Sequence, residues 1–403
     1  MMADREITSD RSAIWAIFGV FFFESAVIGQ WIPRIPDIKE ALTLSDGQLG
    51  LALLSMPFGT LLGFAIAGKV INTVGLRGAC RIFLPVWAVL FILPGIAQSL
   101  NQLMLALLVC GLAIGMIETA MNTEASRIEN AAGKRIMSRC HGFWSLGTML
   151  GALTGGVVAQ LGISVAHHFL FVMPLIAIAG YMVATRLPVL PGLTGAITSG
   201  DVAPARKGSA LFTWPHRAIL LLCFMPLGIN MVEGAFVDWS GVFMRDVMSA
   251  SPLLIAVTYA FFAIVMAITR LCGDYISDRF GELNVVRASG LATTLGIALF
   301  ALASSPFWAF IAAAICGAGV AIVFPIAMSA AANRPGRSPT QNVAALNMIA
   351  FSAFLISPPL IGFLSEAIGL RNALLSLAPF AFVTFLLASE VKPGYATLNF
   401  DKN

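Results

Sequence analysis

Four acidic residues stand inside long apolar stretches of this sequence: Glu24, Glu118, Glu233 and Asp238. A charge held in hydrocarbon is costly, so an acid placed there serves a cavity, a partner or a proton. Glu118 is followed four residues later by Asn122, a spacing that sets a carboxylate and an amide on one face of a helix. That pair can hold a hydroxylated or amine ligand, and the carboxyl can take up and release a proton. Glu24 lies about 12 residues into the first apolar run, ~18 Å along a helix and past the middle of a bilayer. It can titrate or bind a solute. Glu233 is expected to face a cavity and, with Glu24 and Glu118, to couple protons, and Asp238, nearer the outer interface, to be a surface or gate residue. For each glutamate the competing reading is a structural hydrogen bond to a neighbouring helix.

Around these acids, Gln30, Asn230 and Asn347 offer further polar contacts. Trp31, Trp144 and Trp239 offer ring faces for stacking, with interfacial anchoring equally open for Trp31 and Trp239. Glu124 and Arg127, three apart, read as a pair within one helix. His141 reads as structural, and His167 and His168 as surface residues at an outer interface. The six cysteines show no Cys-x-x-Cys and no His/Cys ligand spacing, so packing is expected, with no metal site and no disulfide. No Gly-x-x-x-x-Gly-Lys-[Ser/Thr] and no Ser/His/Asp arrangement appears, so neither ATP hydrolysis nor another enzymatic activity is expected. No cofactor is implied; a proton gradient is the natural energy source.

The elements that must carry these residues follow from composition. Of 403 residues, 58% are hydrophobic and 11% charged, against about 25% charged in soluble domains. Membrane lipid is the natural solvent for such a chain. Spanning helices need ~20 mostly apolar residues, and twelve such runs occur: 12–32, 47–70, 80–99, 102–124, 142–162, 167–187, 216–239, 252–275, 285–304, 307–331, 342–365 and 370–390. They are too long for barrel strands and lack period-2 alternation. The first run carries Glu24 and lacks a small-residue cleavage site, so it reads as a retained helix. With the N-terminus inside, 20 of the 24 Lys and Arg residues fall in inner segments and 4, namely Arg34, Lys39, Arg245 and Arg371, in outer ones. The positive-inside rule then places both termini in the cytoplasm. The net charge of +4 is too small to suggest a nucleic-acid partner.

The chain also repeats itself. Gly75, Arg81, Cys110, Gly111, Met121, Ser145, Gly155 and Gly162 return, 206 or 207 residues later, as Gly281, Arg287, Cys316, Gly317, Met328, Ser352, Gly362 and Gly369. This predicts two similar six-helix halves, residues 1–187 and 215–403, joined by a Pro- and Gly-rich cytoplasmic linker over 188–214. Parallel repeats of this kind place a solute site at midplane, between the halves. The fold class is therefore an all-α membrane protein of twelve helices in two pseudo-symmetric bundles.

This organisation resembles the major facilitator superfamily, whose signature between helices 2 and 3 has Gly, then Asp-Arg, then Gly and basic residues. Here Gly68, Gly75 and Arg77 keep the pattern, while Asn72 and Thr73 replace the acid and base. Between helices 8 and 9, Asp278, Arg279 and Gly281 keep it, and Asp274 stands at the leading Gly. The resemblance implies that Asn72, Arg77, Asp278 and Arg279, with Arg81 and Arg287, belong to a cytoplasmic gate. For Arg77 and Arg81, plain positive-inside anchoring is the preferred alternative. Glu118-Thr119-Ala120-Met121-Asn122 is similar to the helix-4 motif of the fucose–proton symporters, a family that also has an acid on helix 1, which Glu24 would match. The run Glu233 to Trp239 and the segment His141 to Gly147 look like a bacterial branch related to the rhizopine-locus membrane protein. Gly147, Gly151, Gly155 and Gly156 approach an antiporter motif, with Ala152 in place of its Pro; a stripe for close helix contact is the simpler reading.

The resemblance implies secondary active transport of a small-molecule substrate by alternating access, in a bacterial cytoplasmic membrane, by a monomer. A small sugar- or polyol-like solute moved with protons is the leading expectation. Efflux of amphiphilic compounds and a non-transporting receptor or scaffold are the alternatives.

Overall fold

The structure, a computed structural model, describes residues 2–134, 136–188, 215–335 and 338–392. Residues 189–214 of the predicted linker lie outside the described residues, as do Arg135, Arg206, Lys207, Arg337 and Lys402 of the charge count.

All regular structure among the described residues is helical. Twelve helices are long and apolar enough to cross a membrane: α1 (Arg11–Ala41), α2 (Asp46–Val74), α3 (Leu76–Ile96), α4 (Leu100–Ala132), α5 (Met137–Gln160), α6 (Val165–Ala184), α7 (Arg217–Asp238), α8 (Pro252–Leu271), α9 (Glu282–Leu302), α10 (Pro306–Ala332), α11 (Gln341–Ile368) and α12 (Leu370–Val391). Each predicted run coincides with one of them. The backbone in lipid must satisfy its own hydrogen bonds, and the helix does this within one segment. Polar caps close several ends. Ser99 accepts from the Gln102 N–H at the start of α4, Ser164 from the His167 N–H at the start of α6, and Ser338 forms a capping box with Gln341. The Glu129 carboxylate accepts from the N–H groups of Ile136 and Met137, at 2.6 and 2.9 Å, as α5 begins. An acid there suits the positive end of a helix.

Several helices depart from the simple runs. The fourth run ends at 124 by hydropathy, but the helix continues to Ala132 through Glu124, Arg127 and Glu129, and stops at Gly133. Hydropathy reports the surrounding solvent, whereas helix formation carries on into water. The seventh run is interrupted between Phe224 and Leu227, because Pro226 has no N–H for the Leu222 carbonyl. The tenth is interrupted at Ala321 and Ile322, where Pro325 cannot donate to the Ala321 carbonyl.

The described chain forms two compact units. The first, built on α1 and α3 to α6 with most of α2, takes in Ser251–Ala260; the second, built on α7 to α12, takes in Ser45–Gly50. Within the first unit, glycines let helices touch backbone to backbone. A Cβ on Gly111 would stand 2.0 Å from the Met56 carbonyl oxygen, and one on Gly59 2.1 Å from that of Leu108, so α2 and α4 meet without side chains between them. The second unit repeats the contact: a Cβ on Gly317 would stand 2.3 Å from the Phe262 carbonyl oxygen. Gly75 and Gly281, also repeat-related, have φ of 74° and 78°, a region open to glycine at no steric cost.

Substituting Ala at Gly111 is expected to overpack this contact by ~1–3 kcal/mol and lower the thermal midpoint of the purified protein. Gly68→Ala is its control, since a Cβ there meets nothing within 4 Å, and it should unfold at or above the wild-type midpoint. Equal midpoints for the two variants would refute the close approach.

Candidate functional site

The first unit brings Glu24 and Glu118 together. The approach of α5 to α1 makes this possible. A Cβ on Gly147 would lie 2.1 Å from the Phe22 carbonyl oxygen, and one on Gly151 2.5 Å from that of Ala26. At that separation Trp144, on α5, reaches the acid on α1: its Nε1 donates to Glu24 Oε2 at 2.8 Å. Trp87 of α3 donates to the main-chain oxygen of Glu24 at 3.1 Å. Glu24 is 1% exposed, and its Oε1 is buried without a hydrogen-bond partner. Glu118, half-buried on α4, lies close enough for the two carboxyl groups to act on each other electrostatically. Asn122 shares the face of Glu118 as its spacing predicts, donating to the Glu118 main-chain oxygen at 2.9 Å and, at the limit, to Oε2 at 3.5 Å.

Two neighbours are drawn into packing instead. Gln30 Nε2 donates to Thr154 at 2.7 Å, and its Oε1 meets His168 Nε2 at 2.9 Å. Because the amide oxygen can only accept, His168 donates from Nε2. His168 is therefore not the surface residue its position suggests: it is buried, with Nε2 partnered by Gln30 and Nδ1 left without a hydrogen-bond partner among the described residues. Trp31 is fully buried, edge-on to Phe91 with centroids 5.6 Å apart. It has neither a free ring face nor a place at an interface.

In the second unit Glu233 carries its own counter-ion. Arg270 of α8 donates from Nη2 to Glu233 Oε1 at 3.1 Å and from Nε to the Ala321 carbonyl at 3.2 Å. Asn230 is buried and donates to the Ala350 carbonyl at 3.2 Å, tying α7 to α11. Trp239 is buried with Nε1 unpartnered. Asp238 is half-buried and Asn347 exposed.

The gate residues are scattered in environment. Asn72, Asp278 and Arg279 are exposed, and the Arg279 guanidinium lies 5.8 Å over the Phe280 ring. Arg77 and Arg81 instead turn to the end of α6, donating to the Thr185 carbonyl at 2.9 and 2.8 Å. A cation at a helix C-terminus meets the negative end of the dipole, so these two arginines anchor a helix end. Glu124 and Arg127 form the expected intrahelical pair at 3.2 Å.

The family follows from comparison with known proteins. The Major Facilitator Superfamily model matches residues 14–353. The chain belongs to that superfamily. An uncharacterised MFS-type transporter of Yersinia pestis is 30% identical over 88% of this chain and 89% of its own length. Membrane protein MosC of Rhizobium meliloti, the rhizopine-locus relative, is 26% identical over 98% of this chain and 91% of its own. The Escherichia coli fucose:proton symporter shares the fold, with TM-score 0.63, 17% identity, and 94% and 98% of the two chains covered. This superfamily member is thus a secondary transporter, a multi-pass protein of the bacterial inner membrane and not an enzyme.

Sequence reading found Glu24, Glu118 and Asn122 but not Trp144 as a donor, because the contact joins residues 120 apart. It also counted Arg270 among the inner cations. Its place inside the run 252–275, where a charge is costly, was the signal that marked it.

Removing the Trp144 donor should cost ~1–3 kcal/mol, the scale for stranding a buried acceptor. Trp144→Phe is expected to lower the thermal midpoint, and adding Glu24→Leu to the same chain should recover most of the loss. A Trp144→Phe protein that unfolds at the wild-type midpoint would show the bond contributes nothing.

Proposed function

We propose that this transporter moves a small polar solute together with protons by alternating access, as a monomer with both termini in the cytoplasm. The observation that carries the proposal is the pair of carboxyl groups on α1 and α4, acting on each other in an apolar interior, with Glu24 Oε1 unpartnered. Two negative charges in such surroundings repel, and a proton taken up by either relieves the repulsion. Glu24 is clasped by Trp144 and withdrawn from water, whereas Glu118 is only half-buried and shares its face with Asn122. In the proposed division of labour, Glu118 exchanges the proton and, with Asn122, meets the hydroxyl or amine groups of the solute. Glu24 sets the electrostatic cost of leaving Glu118 ionised.

Uptake of a polar solute is favoured over efflux of an amphiphile because the glycine stripe on α5 already has a structural role. Gly147 and Gly151 seat α5 against α1, so the stripe needs no exporter to account for it. The orientation rests on the positive-inside rule, with Arg77 and Arg81 at the inner end of α6.

Glu118→Gln keeps size and hydrogen bonding but cannot exchange a proton. In proteoliposomes it is expected to abolish solute accumulation driven by an imposed pH gradient while sparing counterflow of labelled solute. Accumulation that persists at the wild-type level in this variant would remove Glu118 from coupling.

A further inference from the structure

The break in α10 creates a demand that Arg270 meets only in part. Pro325 has no N–H, so the Ala321 carbonyl four residues earlier loses its helical partner. Arg270 Nε supplies a replacement at 3.2 Å. This fixes the guanidinium by one edge and aims the rest of its fork across to α7, where Nη2 reaches Glu233 Oε1 at 3.1 Å. The ion pair is single-pronged. Among the described residues Arg270 makes no other hydrogen bond, so Nη1 and the remaining Nη2 hydrogen stay open. Both side chains keep about a fifth of their surface exposed, 20% for Arg270 and 18% for Glu233. Charged groups bared to lipid are expensive, so that exposed surface belongs with water.

A planar fork anchored on a carbonyl, with a carboxylate on one prong and open N–H groups beside it, suits bidentate recognition of a second carboxylate. We infer that Arg270 binds the carboxylate of an acidic solute, and that Glu233 is the internal carboxylate that keeps the arginine neutralised when no solute is bound. The inference rests on the transport reading above and narrows its solute class to small polar acids. Glu233 is then an exchangeable counter-ion for the solute and takes no part in proton transfer. Arg270 takes the place of a recognition residue, held in position by the proline-induced break.

The test uses purified full-length protein and matched probes that differ in one carboxylate: glucuronate against glucose, gluconate against glucitol, and lactate against propane-1,2-diol. Binding is read by calorimetry and by thermal shift. Wild type should bind the acid of at least one pair about tenfold or more tighter than its neutral twin, the scale of a charge-assisted hydrogen bond. Arg270→Gln should erase that preference. Glu233→Gln, which removes the competitor and keeps the cation, should preserve or strengthen it. A purely structural ion pair would instead make both variants lose stability with no change in preference between twins. If Arg270→Gln does not fold, the Glu233→Gln result decides alone, because weakened acid binding in that variant contradicts exchange. Neutral twins binding as well as their acids, or no acid binding to wild type, would overturn the inference. Proton flux driven by a neutral twin would sink it while leaving the transport reading intact. Acid binding without any proton flux in proteoliposomes would do the reverse.

Discussion

Charge withdrawn from water must be compensated locally, and much of this structure is arranged around that constraint. The carboxylate of Glu24 is met by an indole N–H from another helix. Buried Arg34 is paired with Asp37 at 2.9 Å and donates to the Ile163 carbonyl at 2.7 Å. Arg334 and Glu390, both nearly buried, join the ends of α10 and α12, with Asn342 donating to the Arg334 carbonyl. The Glu24 and Arg334 sets tie helices together, and the Arg34 set ties α1 to the segment between α5 and α6. Removing one partner of such a set is costly because the other stays behind in a dry place. The polar groups therefore specify which helices are neighbours, a task that nonspecific apolar burial between helices in lipid performs poorly.

Glycine and proline supply the geometry that these contacts need. The indole of Trp144 reaches Glu24 because Gly147 and Gly151 bring α5 onto the backbone of α1. Arg270 is held beside Glu233 because Pro325 frees a carbonyl for it to bind. In both places a residue without chemistry of its own determines where a reactive side chain sits. The same logic separates Trp31 from Trp144: Trp31 shares α1 with Glu24, yet the donor is Trp144, 120 residues away, on the helix that the glycines draw in.

The legible and illegible parts of the sequence divide along this line. Twelve apolar runs gave twelve helices because hydropathy reports the solvent, and a bilayer is a uniform one. Glu24 and Glu118 stood out because acids are rare in such runs, and the spacing of Glu118 and Asn122 encodes a shared face directly. Partners from other helices were not legible. Nothing near Gln30 announces Thr154 and His168, and nothing near Glu233 announces Arg270, since local periodicity carries no information about which helix packs alongside. Trp31 looked like a ligand-stacking or interfacial ring because composition cannot distinguish a tryptophan packed edge-on inside a bundle from one at a membrane surface.

The repeat was legible, and its violations carry the chemistry. At an offset of 206, Arg270 corresponds to Phe64 and Glu118 to Phe324, so these two charges were not duplicated with the scaffold. The first unit brings the carboxyl groups of Glu24 and Glu118 together; the second pairs Arg270 with Glu233. Moving an elementary charge through the membrane potential changes its energy by ~2.3 kcal/mol per 100 mV, which makes net charge a design variable for any carrier. On the proposed roles, an acidic solute brings one negative charge and a proton on the first unit cancels it, so the loaded protein crosses without added charge. When the solute leaves, Glu233 returns to Arg270 and the empty protein keeps its cation compensated. The same physical rule that makes each buried charge expensive thus gives a reason for placing the proton acceptors in one unit and the anion receptor in the other: neither has to be neutralised by the other for the protein to remain stable between turnovers.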